Sequence, residues 1–432
     1  MTSGALVVSD AVLRSTQRSL AVAALGVLGV LAAGCGDDPS DEEPRIISVP
    51  GDEPTIVAAV AAASAGDVIE IAAGTYRESV DVDVAGITIR GADRNAVVLD
   101  GGDELANGFA VTADGVAIEN LTVHSFTQNG VLFNGATGAL GDGEVYGAGD
   151  AVLSGFRASY VTAYNNGLYG IYAFSARDGL IEHSYVSGHP DSGIYVGQCK
   201  PCNVVVRNVV AERNSIGYYG TNGSGGIYVI DSVFRRNRLG LAPNSQKVER
   251  LSPQAETVVA GNVISDNDDP DTPVIQEGFF GGGIAVGGGT RNTIVRNRVE
   301  GNDLAGILLV SLGEFPPRDN VVEGNVLVGN GIDLVYAPTD VTTALGNCVR
   351  GNDYATSSPD AIEGALPCPG ADAPVDVGTP PVLTAPPGVD YRSLAAPPPQ
   401  PAMPGAASLP GGAGVVPPPV DVDAIDVPDA TG

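Results

Sequence analysis

An all-β fold built as a parallel solenoid is what this sequence predicts, and three observations predict it. From Gly108 to Asp353 a pattern recurs about every 23 residues. One block of each repeat opens on Gly followed by alternating apolar residues: Gly170-Ile171-Tyr172-Ala173, Gly193-Ile194-Tyr195-Val196, Gly217-Tyr218-Tyr219-Gly220, Gly283-Ile284-Ala285-Val286, Gly306-Ile307-Leu308-Leu309. A second block is bracketed by Asn, from Asn208 to Asn214, Asn262 to Asn267, Asn297 to Asn302, Asn325 to Asn330 and Asn347 to Asn352. Composition agrees, because 59 Gly and 31 Pro in 432 residues exclude a helical bundle.

Alternation within a block means strand, and fixed spacing means stacked coils. A strand of four or five residues cannot bury its apolar face alone, so successive coils share one linear core, rising ~4.8 Å per coil. Asn at the corners tolerates a left-handed backbone, and amides stacked coil on coil hydrogen-bond along the rod.

The elements follow in chain order. Arg14 and Arg18 precede the apolar run Leu20 to Ala33, too short to span a bilayer and suited to a signal peptide over residues 1–34. Leu31-Ala32-Ala33-Gly34-Cys35 resembles a bacterial lipobox, with Ala32 where Leu is usual; that resemblance implies lipidation at Cys35 and a polar tether over 35–44. Asp52 is placed to cap a short helix from Pro54 to Ser64, with Ile56, Val57 and Val60 on one face, plugging the open end of the solenoid. The solenoid domain spans 45–369, and residues 370–432, rich in Pro, Ala and Gly, read as a disordered tail. Export makes disulfides of the four remaining Cys; proximity favours Cys199 with Cys202 and Cys348 with Cys368, among three possible pairings.

Thr55-Ile56-Val57-Ala58-Ala59-Val60 leading to Gly66-Asp67 and Ala73-Gly74-Thr75-Tyr76-Arg77-Glu78, followed by the Gly-Ile-x-Val and Asn-bracketed coils, resembles the right-handed parallel β-helix, pectin-lyase-like superfamily over roughly Pro44 to Cys368. The resemblance implies the hand of the coil. It does not imply one reaction, because the superfamily holds lyases, hydrolases, esterases, epimerases, adhesins and proteins without known chemistry.

The search for chemistry yields fewer signals. A formal net charge of −29, from 51 acids against 22 bases, argues against a nucleic-acid partner. His183 and His189 fall where Asn208 and Asn214 stand one coil later and read as ladder substitutes; His124 has no evident partner. Asp266-Asn267-Asp268-Asp269-Pro270-Asp271 offers oxygens to Ca²⁺ but lacks the spacing of a calcium loop, so a solvated acidic turn is preferred and no cofactor is expected. The third residue of the Gly-Ile-x-Val block points outward, which predicts an external strip of Tyr172, Tyr195 and Tyr219, joined by Gln198 and Asn222 as partners for sugar hydroxyls. Insertions at Asn134 to Gly155 and Asn244 to Ala255 would wall this groove, and Lys200 to Arg250 carries eight bases against three acids. Asp191, Arg213 and Arg236 are the candidates for a base and charge neutraliser.

The expectation is thus a monomeric, exported, membrane-anchored lipoprotein of a bacterial cell envelope whose β-helix binds polysaccharide or cell-wall glycan without catalysis. The alternative is a polysaccharide lyase or epimerase.

Overall fold

The computed structural model describes residues 44–135, 152–247, 249–275, 278–406 and 417–430. The predicted signal peptide, Cys35, most of the tether and most of the Asn134 to Gly155 insertion lie outside them. One coil shows the plan. Strands Ala176–Glu182, Tyr185–Ser187 and Ser192–Gly197 are separated by corners, and each pairs in parallel with its counterpart in the next coil: Gly179 with Val204, Tyr185 with Val210, Tyr195 with Tyr219. The first two series merge into one 20-stranded sheet, because Val116–His124 and Leu153–Tyr164 run through the corner unbroken. The third series forms a separate 11-stranded sheet. The chain is a right-handed parallel β-helix.

The core is a set of columns. Ile171, Ile194, Tyr218, Leu241, Ile284, Ile307 and Leu334 stack in register, and all are buried. Tyr218 is the odd member. Its ring fits because the inward position two residues on is Gly220, where a Cβ would come within 3.0 Å of the ring. Its hydroxyl is buried without a hydrogen-bond partner.

Corners and ladders divide the polar residues between them. His183, Asn208, Asp231 and Arg296 take φ of 48°, 51°, 48° and 52° at equivalent corners, where Gly261 and Gly324 also stand. The residue after the corner turns inward, and there Asn262, Asn297, Asn325 and Asn352 form a buried amide ladder, each Nδ2 donating to the next Oδ1 at 2.9 Å. A second ladder runs from Asn166 through His189, Asn214, Asn237, Asn267 and Asn302 to Asn330. His189 is the ladder substitute the sequence predicts; His183 is a corner residue, its ring stacked on Tyr160.

The end-capping helix is Ile56–Ala62 and buries Ile56, Ala59 and Val60, whereas Val57 faces out. Thr55, not Asp52, is its N-cap, accepting from Ala58 N at 3.0 Å; Asp52 instead accepts from Ser48 N, closing the preceding turn. The Glu78 carboxylate takes the next two free amides, Ile56 N and Val57 N. Both disulfides form as proximity favours, Cys199–Cys202 and Cys348–Cys368.

The described tail has no secondary structure beyond short 3-10 turns at Tyr391–Ser393 and Val422–Ala424 and an isolated bridge at Pro374, as its Pro content dictates. It follows the rod rather than extending from it. Gly378 N donates to Tyr336 O at 2.9 Å, Val389 N to Thr272 O at 3.1 Å, and Asn165 Nδ2 to Leu394 O at 2.8 Å, so the chain runs back along the coils it has just built. Further on, Ile425 joins Leu180, Val205, Ile230, Ala260 and Val295 in an apolar cluster on the outside of the larger sheet.

Candidate active site

The predicted tyrosine strip exists. Tyr172, Tyr195 and Tyr219 are in register on successive coils of the smaller sheet, pointing away from the core. Tyr169 stacks on Tyr172 at 4.2 Å, and Tyr172 meets Tyr195 edge-on at 4.7 Å. The strip is not the open floor of a groove, however. Tyr195 is 2% exposed and Tyr219 8%. The insertion at Asn244 to Ala255 lies over them instead of standing beside them as a wall.

The polar residues assigned to sugar hydroxyls hold that cover in place. Gln198 Oε1 accepts from Leu251 N at 2.9 Å. Asn222 takes Gln246 from both sides, its Nδ2 donating to Gln246 O at 2.7 Å and its Oδ1 accepting from Gln246 N at 3.0 Å. The Gln246 side chain reaches down to the Tyr219 hydroxyl.

Under the cover the structure assembles two phenol–carboxylate pairs. Tyr169 donates its hydroxyl to Asp191 Oδ2 at 2.9 Å, and Tyr195 donates to Glu249 Oε1 at 2.8 Å. The other oxygens, Asp191 Oδ1 and Glu249 Oε2, are shut off from solvent and have no hydrogen-bond partner. Desolvation pushes Asp191 up to about 7, against the opposing hydrogen bond from Tyr169. Glu249 is pushed up to about 7 as well, by burial first and then by the Asp191 charge, against the bond from Tyr195. Burial therefore favours the protonated form of both carboxylates, and the charge of Asp191 is felt at Glu249. Tyr169 and Glu249 escape the sequence reading; the signal for Glu249 was its place in an insertion beside the tyrosine coils.

The other candidates stand elsewhere. Arg213 lines a cavity of ≈130 Å³ with Asn165, Tyr185, Glu212 and tail residues Leu394 to Pro398, and Arg236 pairs with Asp269 at 3.3 Å. The basic excess over Lys200 to Arg250 is met by acids outside that segment: Arg207 pairs with Glu182, Arg236 with Asp269 and Lys247 with Glu314. His124 stacks on Tyr164 at 4.6 Å with Asp100 at 3.8 Å, its pKa lowered mainly by burial.

A family described as periplasmic copper-binding protein (NosD) matches residues 161–360. Among the described residues no copper site accompanies that description. Its four described cysteines are in disulfides, His189 is locked between two amides, and no group of three His, Cys, Asp or Glu converges among the described residues. The acidic turn at Asp266 to Asp271 likewise gathers no such group, and its Asp269 is engaged by Arg236.

No curated protein matches the chain significantly. Among solved structures, the A-module of a mannuronan C-5 epimerase from Azotobacter vinelandii is similar at 16% identity, covering 77% of this chain and 93% of that one, with a TM-score of 0.45. A pectate lyase is similar at 16% identity, with 73% and 77% covered and a TM-score of 0.46. An alginate lyase from Paenibacillus is similar at 19% identity, with 72% and 99% covered and a TM-score of 0.39. The expectation of a glycan-binding rod without catalysis is corrected here: the similar structures carry the names of an epimerase and of lyases.

Proposed function

We propose that the β-helix is a polysaccharide-acting enzyme of the lyase or epimerase class, working by acid–base chemistry at Asp191 and Glu249. The observation that carries this reading is the pair of carboxylates, each held by a tyrosine through one oxygen and left unpaired at the other. Lyases and epimerases of acidic sugars remove a proton from carbon beside a carboxyl group, then protonate a leaving oxygen or the opposite face. A base and an acid with pKa values near 7 suit both steps, and such catalysis contributes roughly 10²–10⁴-fold.

In this account the unpaired oxygen of the ionised carboxylate takes the proton and its partner carboxyl donates. Tyr169 and Tyr195 fix the two carboxylates, while Tyr172 offers a ring face to the sugar. Substrate reaches the pair when Gln246 and Lys247 lift while Glu249 stays on Tyr195. Gln246 is held by polar contacts from Asn222 and Tyr219, so lifting it exchanges protein hydrogen bonds for hydrogen bonds to water and sugar.

The leader and Cys35 support an exported, lipid-anchored protein that presents this site at an envelope surface. Among the described residues no helix is long and apolar enough to cross a membrane. The test is to incubate the full-length protein with a panel of uronate-containing and neutral polysaccharides and score new unsaturated ends, new reducing ends and altered sugar configuration. Unsaturated ends or inverted residues on an acidic polymer support the reading; an unchanged panel overturns it.

A further inference from the structure

The tail is gripped through its backbone where it crosses the early coils. Asn95 brackets Gln400, its Nδ2 donating to Gln400 O at 2.9 Å and its Oδ1 accepting from Gln400 N at 2.8 Å. Asn120 Oδ1 accepts from Met403 N at 2.8 Å, and Arg90 donates to Ala406 O at 3.1 Å. Arg94 donates to Pro401 O at 2.9 Å.

Arg94 lies under this strap and is 2% exposed. Its remaining bonds go to Thr162 Oγ1 at 2.8 Å, Val161 O at 2.9 Å and His183 O at 3.0 Å. All four acceptors are neutral, and no carboxylate among the described residues pairs with it. Arg90 differs, for it pairs with Glu119 at 2.8 Å. A desolvated guanidinium satisfied by dipoles alone is costly, and burial lowers its pKa to about 10. Beside it the Tyr160 and His183 rings stack at 4.7 Å, and the His183 side chain is 38% exposed.

The geometry points to a latent anion site sealed by the chain's own tail: with Pro401 displaced, Arg94 takes a carboxylate or sulfate group of an extended acidic polymer, whose ring rests on the Tyr160–His183 stack. Displacing Pro401 frees an Nη1 N–H of Arg94, and a charge-assisted bond from it to an oxyanion is stronger than its bond to a neutral peptide carbonyl. The tail competes as an intramolecular ligand, so the sealed protein's apparent affinity falls by the fraction of chains with the strap lifted. The site is independent of the Asp191–Glu249 pair and of its chemistry.

Calorimetric titration tests it with an oligogalacturonate, a sulfated galactan oligomer and a neutral cello-oligomer as probes, the first two separating carboxylate from sulfate. The double variant Asn95→Ala, Met403→Pro loosens the strap without touching Arg94. It is expected to bind at least one acidic oligomer about ten-fold more tightly than the unaltered protein and the neutral oligomer no better. Adding Arg94→Gln is expected to erase the gain. Equal affinities for the double variant and unaltered protein, or a gain that survives Arg94→Gln, overturn the proposal. Should Arg94→Gln unfold, hydrogen exchange on the unaltered protein decides: a saturating acidic oligomer is expected to speed exchange at the Gln400 and Met403 amides, and unchanged rates there overturn the site.

Discussion

The Tyr195 hydroxyl donates to Glu249 across 54 residues of sequence, joining a strand of the rod to the insertion that covers it. This bond makes one residue do two things. It ties down the cover, and it holds a carboxylate whose pKa burial has raised to about 7. Access and chemistry are therefore coupled at Tyr195. Tyr195→Phe is expected to loosen residues 244–251, seen as faster proteolysis or hydrogen exchange there, while kcat falls because Glu249 loses its orientation.

Activity is expected to follow a bell-shaped pH profile centred near 7, because the pair needs one proton. Asp191→Asn leaves a single titrating carboxylate. The profile of any residual activity should lose one limb, which rate measurements across pH 5 to 9 would show.

The same pair makes a statement about stability. Both folded pKa values lie above their unfolded ones, so the contribution is full below about pH 4 and is lost as pH rises towards 7. His189 acts in the opposite sense. Burial in the amide ladder lowers it to about 4, so its contribution is present above about 6.5 and is lost as pH falls through 4. His189→Asn extends the ladder with a group that does not titrate. Its stability relative to the unaltered protein should improve by about 3 kcal/mol between pH 7 and pH 4, read as a Tm difference that grows on acidification.

The ladders themselves bear much of the corner energy. Asn297 accepts from both Asn262 N and Asn262 Nδ2 and donates to Val259 O and Val295 O. Asn297→Ala strands donors and acceptors that water cannot reach. A loss of roughly 3–4 kcal/mol in urea unfolding is expected, at about 1 kcal/mol per bond.

Tyr218 presents the reverse case. Its hydroxyl is buried in the apolar core with no partner, so Tyr218→Phe removes a desolvation cost and keeps the ring. Denaturation midpoints should rise, by about 1 kcal/mol in stability. Gly220→Ala should fall instead, because its Cβ meets the Tyr218 ring.

How much of this the sequence carried depends on the range of the cause. Gly170-Ile171-Tyr172-Ala173 and its copies show their strand and inward face through period-two alternation, a local signal, and His189 shows its role by its distance from Asn214. The register of the three tyrosines follows from the same repeat. What covers them does not, because residues 244–255 and the tail have no periodicity and their positions depend on single long-range bonds such as Gln198 to Leu251 and Asn165 to Leu394. Repeat spacing therefore carries the direction of Tyr195 but not its exposure. Thr55 displaced Asp52 as helix cap for a similar reason: Asp52 finds the Ser48 amide first.

The proposed chemistry rests on Asp191 and Glu249. It is tested most directly by measuring product formation with the unaltered protein and with Glu249→Gln, which keeps shape and the Tyr195 hydrogen bond but cannot exchange a proton. A fall of roughly 10²-fold or more in kcat, with a thermal midpoint unchanged below about pH 4 where Glu249 is protonated folded and unfolded alike, is the predicted result. A Glu249→Gln protein that turns over polysaccharide as fast as the unaltered one would contradict the account.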